Sequence, residues 1–275
     1  MAKSKNNKTK KQNKPTVETV EYLEGNNDNI QDFEQFDEFQ NFEESESSNE
    51  GLDNNDDPQI IDIFPIPIHR EIFPYEVEDF VEFFDKQPMV GDSLEDLSPL
   101  QKMNLRNFGD RSVNNYILNK KKSINLKNYL QKIILQYGNL LGYTNYTEYK
   151  ITQSWLSSKK PDEQHQPHSH GNSLISGIFY YGDYEEDTPG ISFSRPYIAG
   201  VAHTLVPDKV IDVNNRYSWD DEGIRVKTGM IILFPSSLLH SVPLNTTDSI
   251  RKSLAFNAVP KTGLGTESSL NELKF

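Results

Sequence analysis

The spacing of the hydrophobic residues changes midway along the chain. In the first part, apolar positions recur every three to four residues, which is the period of an α-helix. This spacing predicts a short helix over about 75–86 and a longer one over 124–141, with Ser123 as the N-cap of the longer helix and Gly142 as its C-terminal stop. We expect residues 88–112 to be rich in loops.

In the second part, apolar and polar residues alternate, as they do along a half-buried β-strand. The alternation predicts strands at about 147–156, 173–181, 190–194, 208–213, 224–234, 238–243 and 250–258. An apolar segment before the helices, residues 60–68, contains Pro65 and Pro67 and therefore predicts an edge strand or an extended arm. Helices followed by many short strands favour a mainly β fold with N-terminal helices, closed as a roll or sandwich.

The first 58 residues differ in composition from the rest. Residues 1–14 carry six lysines and no acid, and residues 15–58 carry fifteen acids and no Lys or Arg, which accounts for −9 of the net charge of −13. A segment this polar cannot bury enough apolar surface to fold, so 1–58 is predicted to be a disordered acidic tail with a basic N-terminus. Within it, the regularly spaced phenylalanines of 33–42 are compatible with docking on a protein partner; the alternative is a solvated tail with incidental aromatics.

The remaining composition limits where the chain works and with what. It contains no cysteine, which excludes disulfides and thiolate metal sites. No apolar run approaches the roughly 18 residues of a membrane span, and the N-terminus lacks the apolar run of a signal peptide. We therefore expect a cytoplasmic protein (in the host cytoplasm if viral) with no membrane partner. The charge of −4 left after residue 58, without a basic stripe, argues against an obligatory nucleic-acid partner.

Candidate metal ligands are concentrated in one short segment. His165, His168 and His170 lie directly before the predicted strand 173–181. Residues two apart in an extended chain point the same way, so His168 and His170 can converge on one ion, and His240 at the end of another strand supplies a third imidazole. Three imidazoles suit Fe(II) or Zn(II). His165 is predicted to be a bystander, because it could join the others only through a bend.

A second candidate is an arginine that strand alternation places on an inner face. Arg251, Ser253 and Asn257 share that face of the strand after His240. A buried guanidinium needs an anion, and a dicarboxylate bound by Arg251 and by the Ser253 hydroxyl would supply it. The alternative for Arg251 is a structural ion pair.

These features occur in a familiar order: His-x-His at 168–170, Ser-Gly-Ile-Phe-Tyr-Tyr at 176–181, Phe-Pro-Ser-Ser-Leu-Leu-His at 234–240 and Arg-x-Ser at 251–253. Together they resemble the iron- and 2-oxoglutarate-dependent dioxygenases, most closely a group common in phage and marine bacterial genomes. The resemblance covers about 146–258.

The resemblance implies both a fold and a chemistry. Residues 59–145 would then be an arm and helices packing on the core, 146–262 a double-stranded β-helix (jelly-roll, cupin-like) oxygenase domain, and 263–275 a C-terminal tail. Fe(II), 2-oxoglutarate and O2 would be used to hydroxylate an unidentified substrate, with release of succinate and CO2. The metal ligands would be His168, His170 and His240, with Arg251 and Ser253 anchoring 2-oxoglutarate and Tyr180 lining the cavity beside it.

One position departs from the usual His-x-Asp or His-x-Glu motif, because His170 stands where the carboxylate ligand is expected. Glu163 or Asp183 are alternative sources of a carboxylate, but neither is two residues from His168, so the three-histidine site is favoured. Two other functions stay open: a non-catalytic jelly roll for binding or virion assembly, and a three-histidine iron dioxygenase that does not use 2-oxoglutarate. Neither explains Arg251. Trp155 is interpreted as a core residue.

Overall fold

The strands form two antiparallel sheets in the computed structural model. In chain order they are β1 (His69–Ile72), β2 (Asp110–Arg111), β3 (Tyr149–Lys159), β4 (His165–His168), β5 (Ile175–Tyr180), β6 (Pro189–Ser194), β7 (Asp221–Arg225), β8 (Met230–Pro235), β9 (His240–Val242) and β10 (Arg251–Pro260). The larger sheet has the order β1-β8-β5-β10-β3-β2 and the smaller one β4-β9-β6-β7. The chain crosses repeatedly between the two sheets, so the predicted jelly roll is confirmed.

The structure describes residues 65–184, 188–195, 212, 214, 215 and 219–274. The predicted tail 1–58, its segment 33–42 and nearly all of the predicted strand 208–213 lie outside these residues. The domain boundaries stay predictions. Among the described residues, no helix combines the length and apolar character needed to cross a membrane.

Between residue 65 and the jelly roll, the structure describes three α-helices: α1 (Glu78–Asp85), α2 (Pro99–Phe108) and α3 (Ile124–Leu140). The prediction of a loop-rich 88–112 missed α2. Its start is a capping box, in which the Ser98 hydroxyl accepts from the Gln101 N–H and the Gln101 side chain accepts from the Ser98 N–H. Several of its apolar side chains face solvent, with Leu100 62% and Met103 51% exposed. Helical hydrophobic spacing therefore gave no signal.

Helix α3 has the predicted extent and Ser123 holds the predicted N-cap position, but the Ser123 side chain does not cap the helix. Ser123 makes no capping hydrogen bond, and its hydroxyl is buried without a partner. The reason is that the 3₁₀ turn Lys121–Ser123 runs directly into the helix, so Ser123 lacks the extended backbone of an N-cap. Gly142 does end the helix, with a φ of +82° that a residue with a side chain rarely adopts.

Two hydrophobic cores lie on opposite faces of the larger sheet. On β8, Ile231 and Leu233 pack in the layer that holds α1 and α3, whereas Ile232 and Phe234 face the space between the sheets. The predicted single strand 224–234 is in fact β7 and β8, because the chain turns at Thr228 and Gly229, and the φ of Gly229 is +80°. The inner core fills the space between the two sheets. Polar residues lie at the ends of strands of the smaller sheet.

Candidate metal centre

The three predicted ligands meet where β4 and β9 pair. His168 is the direct cross-strand partner of His240, and both belong to the smaller sheet. His170 follows β4, and its backbone N–H donates to the Ser236 carbonyl at 2.8 Å, which fixes the chain just beyond the strand. One ring nitrogen of each histidine lies within 4.8 Å of the other two. This spacing allows all three imidazoles to bind one ion.

Hydrogen bonds to the backbone decide which ring nitrogens are available. His168 Nδ1 lies 2.9 Å from the Gln166 carbonyl oxygen, and His240 Nδ1 lies 2.8 Å from that of Leu238. A carbonyl oxygen only accepts, so each Nδ1 carries the proton and donates. The Nε2 lone pairs of His168 and His240 are then free, which is the tautomer that a metal ligand needs.

Burial keeps these histidines neutral. Loss of solvent lowers the pKa of His240 to about 3, and the neighbouring imidazoles of His168 and His170 push it in the same direction. The pKa of His170 falls to about 4, through burial first and then through His168. Burial also lowers the pKa of His168. Neutral imidazole is the form that coordinates a cation, so the donor set fits a divalent metal such as Fe(II) or Zn(II).

His165 lies beside this group without belonging to it. A register shift in the β4–β9 ladder supplies the bend between His165 and His168, and their rings stack with centroids 4.2 Å apart and planes at 9°. Phe108 at the end of α2 packs near the His165 ring, with centroids 5.1 Å apart. His165 is therefore a wall of the site, and its role as a bystander stays a prediction.

Neither alternative carboxylate joins the imidazoles. Among the described residues, the cluster of ligand atoms at this position contains the three histidines. The Glu163 carboxylate instead accepts from the Lys160 N–H at 2.9 Å. Asp183 lines a groove on the α1 side of the larger sheet.

A small cavity adjoins the imidazoles between the two sheets. It holds about 40 Å³ and has polar walls from β3 and β10, including Ser157, Ser253 and Asn257. Trp155, interpreted from the sequence as core, is instead a partly exposed wall residue whose ring centroid lies 6.0 Å from that of His170. The volume is below the roughly 300–1,000 Å³ of typical small-molecule sites, so an organic cosubstrate must widen it.

Arg251 and Tyr180 lie inside the roll but do not line this cavity. Arg251 is 3% exposed, and its guanidinium donates to the carbonyl oxygens of Pro189 and Pro243, the latter at 2.8 Å. It forms no salt bridge with any residue the structure describes, which removes the structural ion pair there. Burial raises the pKa of Tyr180, whose hydroxyl lies near Gly190.

Sequence reasoning missed one charged residue of the inner face. Lys159 ends β3, is 2% exposed and donates from Nζ to the Ser157 hydroxyl at 2.8 Å. Burial, with a contribution from Arg251, lowers the pKa of Lys159 to about 8. Lys159 lies two residues after Ser157 and four after Trp155, so strand alternation would have placed its side chain on the same face of β3 as theirs.

Comparison with protein families identifies the strand-rich region. Residues 153–257, which contain all three clustered histidines and Arg251, match the family model described as "Putative 2OG-Fe(II) oxygenase". This segment is therefore similar to the 2OG-Fe(II) oxygenases. That family uses Fe(II), 2-oxoglutarate and O2, and the donor set of the three histidines fits the metal. A search of curated proteins found no match to the chain.

The solved structures similar to this chain are all remote in sequence. AviO1 from Streptomyces viridochromogenes is 13% identical, with a TM-score of 0.37, over 55% of this chain and 62% of its own. An oxidoreductase of the 2OG-Fe(II) oxygenase family from Burkholderia pseudomallei is 13% identical, with a TM-score of 0.44, over 67% and 78%. A Pseudomonas putida prolyl-4-hydroxylase is 9% identical, with a TM-score of 0.43, over 70% and 92%. Likeness at this level does not indicate a substrate for this chain.

Proposed function

We propose that the protein is an Fe(II)- and 2-oxoglutarate-dependent dioxygenase that hydroxylates its substrate. The observation that carries the proposal is the convergence of His168, His170 and His240, two of them with Nε2 lone pairs freed by backbone hydrogen bonds, inside a segment similar to this family. With the metal bound, the centre supplies O2 activation coupled to decarboxylation of 2-oxoglutarate to succinate and CO2.

The histidines have the task of holding the ion on one side only. His168 and His240 come from the paired strands β4 and β9 of the smaller sheet, and His170 comes from the chain just beyond β4. The side facing the cavity is left for the cosubstrate and for O2. The third neutral imidazole leaves the charge of the ion uncompensated, which favours a dianionic cosubstrate.

Arg251 and Ser253 have the task of binding the distal carboxylate of 2-oxoglutarate. Ser253 lies on the cavity wall, and Arg251 is the next inward-facing residue on the same strand. The guanidinium has five N–H donors, and the contacts with Pro189 and Pro243 leave others free for a carboxylate. Tyr180, paired with Ser253 across β5 and β10, contributes a wall beside the same carboxylate.

Anaerobic titration of the Fe(II)-loaded protein with 2-oxoglutarate tests this proposal. Chelation of Fe(II) by the keto acid produces a weak visible charge-transfer band, which we expect for the wild type and expect to need at least ~10-fold more 2-oxoglutarate in Arg251→Ala. Lys252→Ala is the matched control, because Lys252 is the neighbouring cation but points to Asp85 on the other face.

The outcomes separate the three functional classes. A band that saturates in the wild type and weakens in Arg251→Ala supports the dioxygenase. Metal binding without any band would leave either a non-catalytic jelly roll or a three-histidine dioxygenase that does not use 2-oxoglutarate. An unaltered titration in Arg251→Ala would remove Arg251 from the cosubstrate site.

A further inference from the structure

We propose that Lys159 is a second cationic residue of the 2-oxoglutarate site and binds the distal carboxylate together with Arg251. This inference rests on the proposed function and adds a residue from a different strand. The two cations would then hold the carboxylate from β3 and from β10.

The first observation is a buried ammonium group with only neutral partners. Lys159 is 2% exposed, and Nζ donates to the Ser157 hydroxyl at 2.8 Å and to the Ser158 carbonyl at 3.4 Å. No described carboxylate forms a salt bridge with it. The two acids that act on it from a distance are engaged elsewhere, since Asp110 accepts from backbone N–H groups and Glu163 accepts from that of residue 160. Burying an uncompensated ammonium is costly.

The second observation is that the two buried cations are direct cross-strand partners. Lys159 on β3 lies opposite Arg251 on β10, and Ser157 lies opposite Ser253 one inward-facing position further along. Like charges placed opposite each other destabilise a sheet, and both of these side chains are removed from solvent. An anion bound between them relieves the repulsion and both desolvation penalties. A carboxylate carries two acceptor oxygens, one for each cation.

The third observation connects the ammonium group to the cavity. The Ser157 hydroxyl that accepts from Lys159 is part of the cavity wall, and Ser253 is part of the same wall. The space around Nζ also depends on a glycine, because a Cβ at Gly109 would lie 2.6 Å from Nζ and the φ of Gly109 is +67°. The Ser157 hydroxyl therefore connects the cavity to the ammonium group, with Nζ 2.8 Å behind it.

Two 2-oxo acids of equal chain length test the assignment. Both 2-oxoglutarate and 2-oxopentanoate can chelate the metal, but 2-oxopentanoate ends in a methyl group instead of the distal carboxylate. Affinities are measured by anaerobic titration of the Fe(II)-loaded full chain, for wild type, Lys159→Met and the exposed-neighbour control Lys160→Met. We expect Lys159→Met to lower the affinity for 2-oxoglutarate about 10- to 100-fold, which corresponds to the loss of one charge-assisted hydrogen bond. Its affinity for 2-oxopentanoate should stay at the wild-type value. The control Lys160→Met should bind both keto acids as the wild type does.

The possible failures are distinguishable. If the wild type does not bind 2-oxoglutarate, the proposed function itself is overturned. Equal 2-oxoglutarate affinity in wild type and Lys159→Met overturns the role of Lys159 alone. Equal weakening of both keto acids also overturns it, because it would mean a general disturbance of the site. Thermal melting of each metal-loaded variant checks folding, and Lys159→Gln, which keeps N–H donors without the charge, repeats the test if the methionine variant does not fold.

Discussion

Replacing Lys159 with methionine should stabilise the metal-free protein at neutral pH. Methionine keeps the length and apolar stem of lysine but removes the buried ammonium group. Burial lowers the pKa of Lys159 from 10.5 to about 8, which corresponds to about 3 kcal/mol of unfavourable free energy in the folded state. Losing the hydrogen bond to Ser157 costs about 1 kcal/mol, so the net gain expected at pH 7 is about 2 kcal/mol.

The gain should depend on pH in a defined direction. Below pH 8, Lys159 is protonated in the folded and the unfolded chain, so the full penalty is present. Between about 8 and 10.5 the folded form has lost the proton that the unfolded form still binds, so the penalty shrinks as the pH rises. The wild type should therefore gain stability relative to Lys159→Met across this window, by roughly 2–3 kcal/mol between pH 7 and pH 10.

Urea unfolding at pH 7, 8, 9 and 10 measures the effect. The free energy of unfolding is extrapolated to water for wild type, Lys159→Met and Lys160→Met at each pH. Wild type and Lys159→Met share every other titratable group, so the contributions of those groups cancel in the difference between these two proteins. A difference between wild type and Lys159→Met that stays constant from pH 7 to pH 10 would refute the buried, uncompensated ammonium.

Two further pairs of substitutions test the metal centre and the sheet that supports it. In calorimetric titration with Fe(II), His240→Ala should abolish binding while His165→Ala keeps it within about threefold, since His165 lies outside the ligand group; the reverse order would contradict the ligand assignment. Gly177→Ala should lower the free energy of unfolding by about 1–3 kcal/mol, because its Cβ would lie 2.3 Å from Phe256 Cζ. Gly171→Ala, with nothing within 4 Å, is the control, and equal stability of the two variants would exclude that clash.

Hydrophobic spacing predicted the elements that bury one regular face. Helix α3 and strands β5 and β10 were located from sequence because their apolar side chains pack in the cores. Strand β4 has no such signal, since it consists of His-Gln-Pro-His and exists through its ladder with β9. Helix α2 was missed for the related reason that solvent faces several of its apolar residues.

The residues of the candidate site also differ in whether the sequence predicts them. His168, His170 and His240 were found because two imidazoles spaced two residues apart point the same way and a third ends another strand. Arg251 was found because an arginine on an inward face needs an anion. Lys159 was not found, because the predicted strand ended at residue 156 and a lysine near a strand end is usually exposed. Its burial depends on the approach of Gly109 from another part of the chain, which sequence spacing does not reveal.

The cross-strand pairing of His168 with His240 also has a mechanical consequence. An ion bound by both residues links β4 to β9 and closes the intervening segment of chain into a loop. In a chain without cysteine, such a link stabilises the fold differently from a disulfide, because the ion binds the folded chain in preference to the unfolded chain, in which the ligands are not held together. Unlike a disulfide, this link is removed by a chelator, so the stability of the smaller sheet depends on whether the metal is bound.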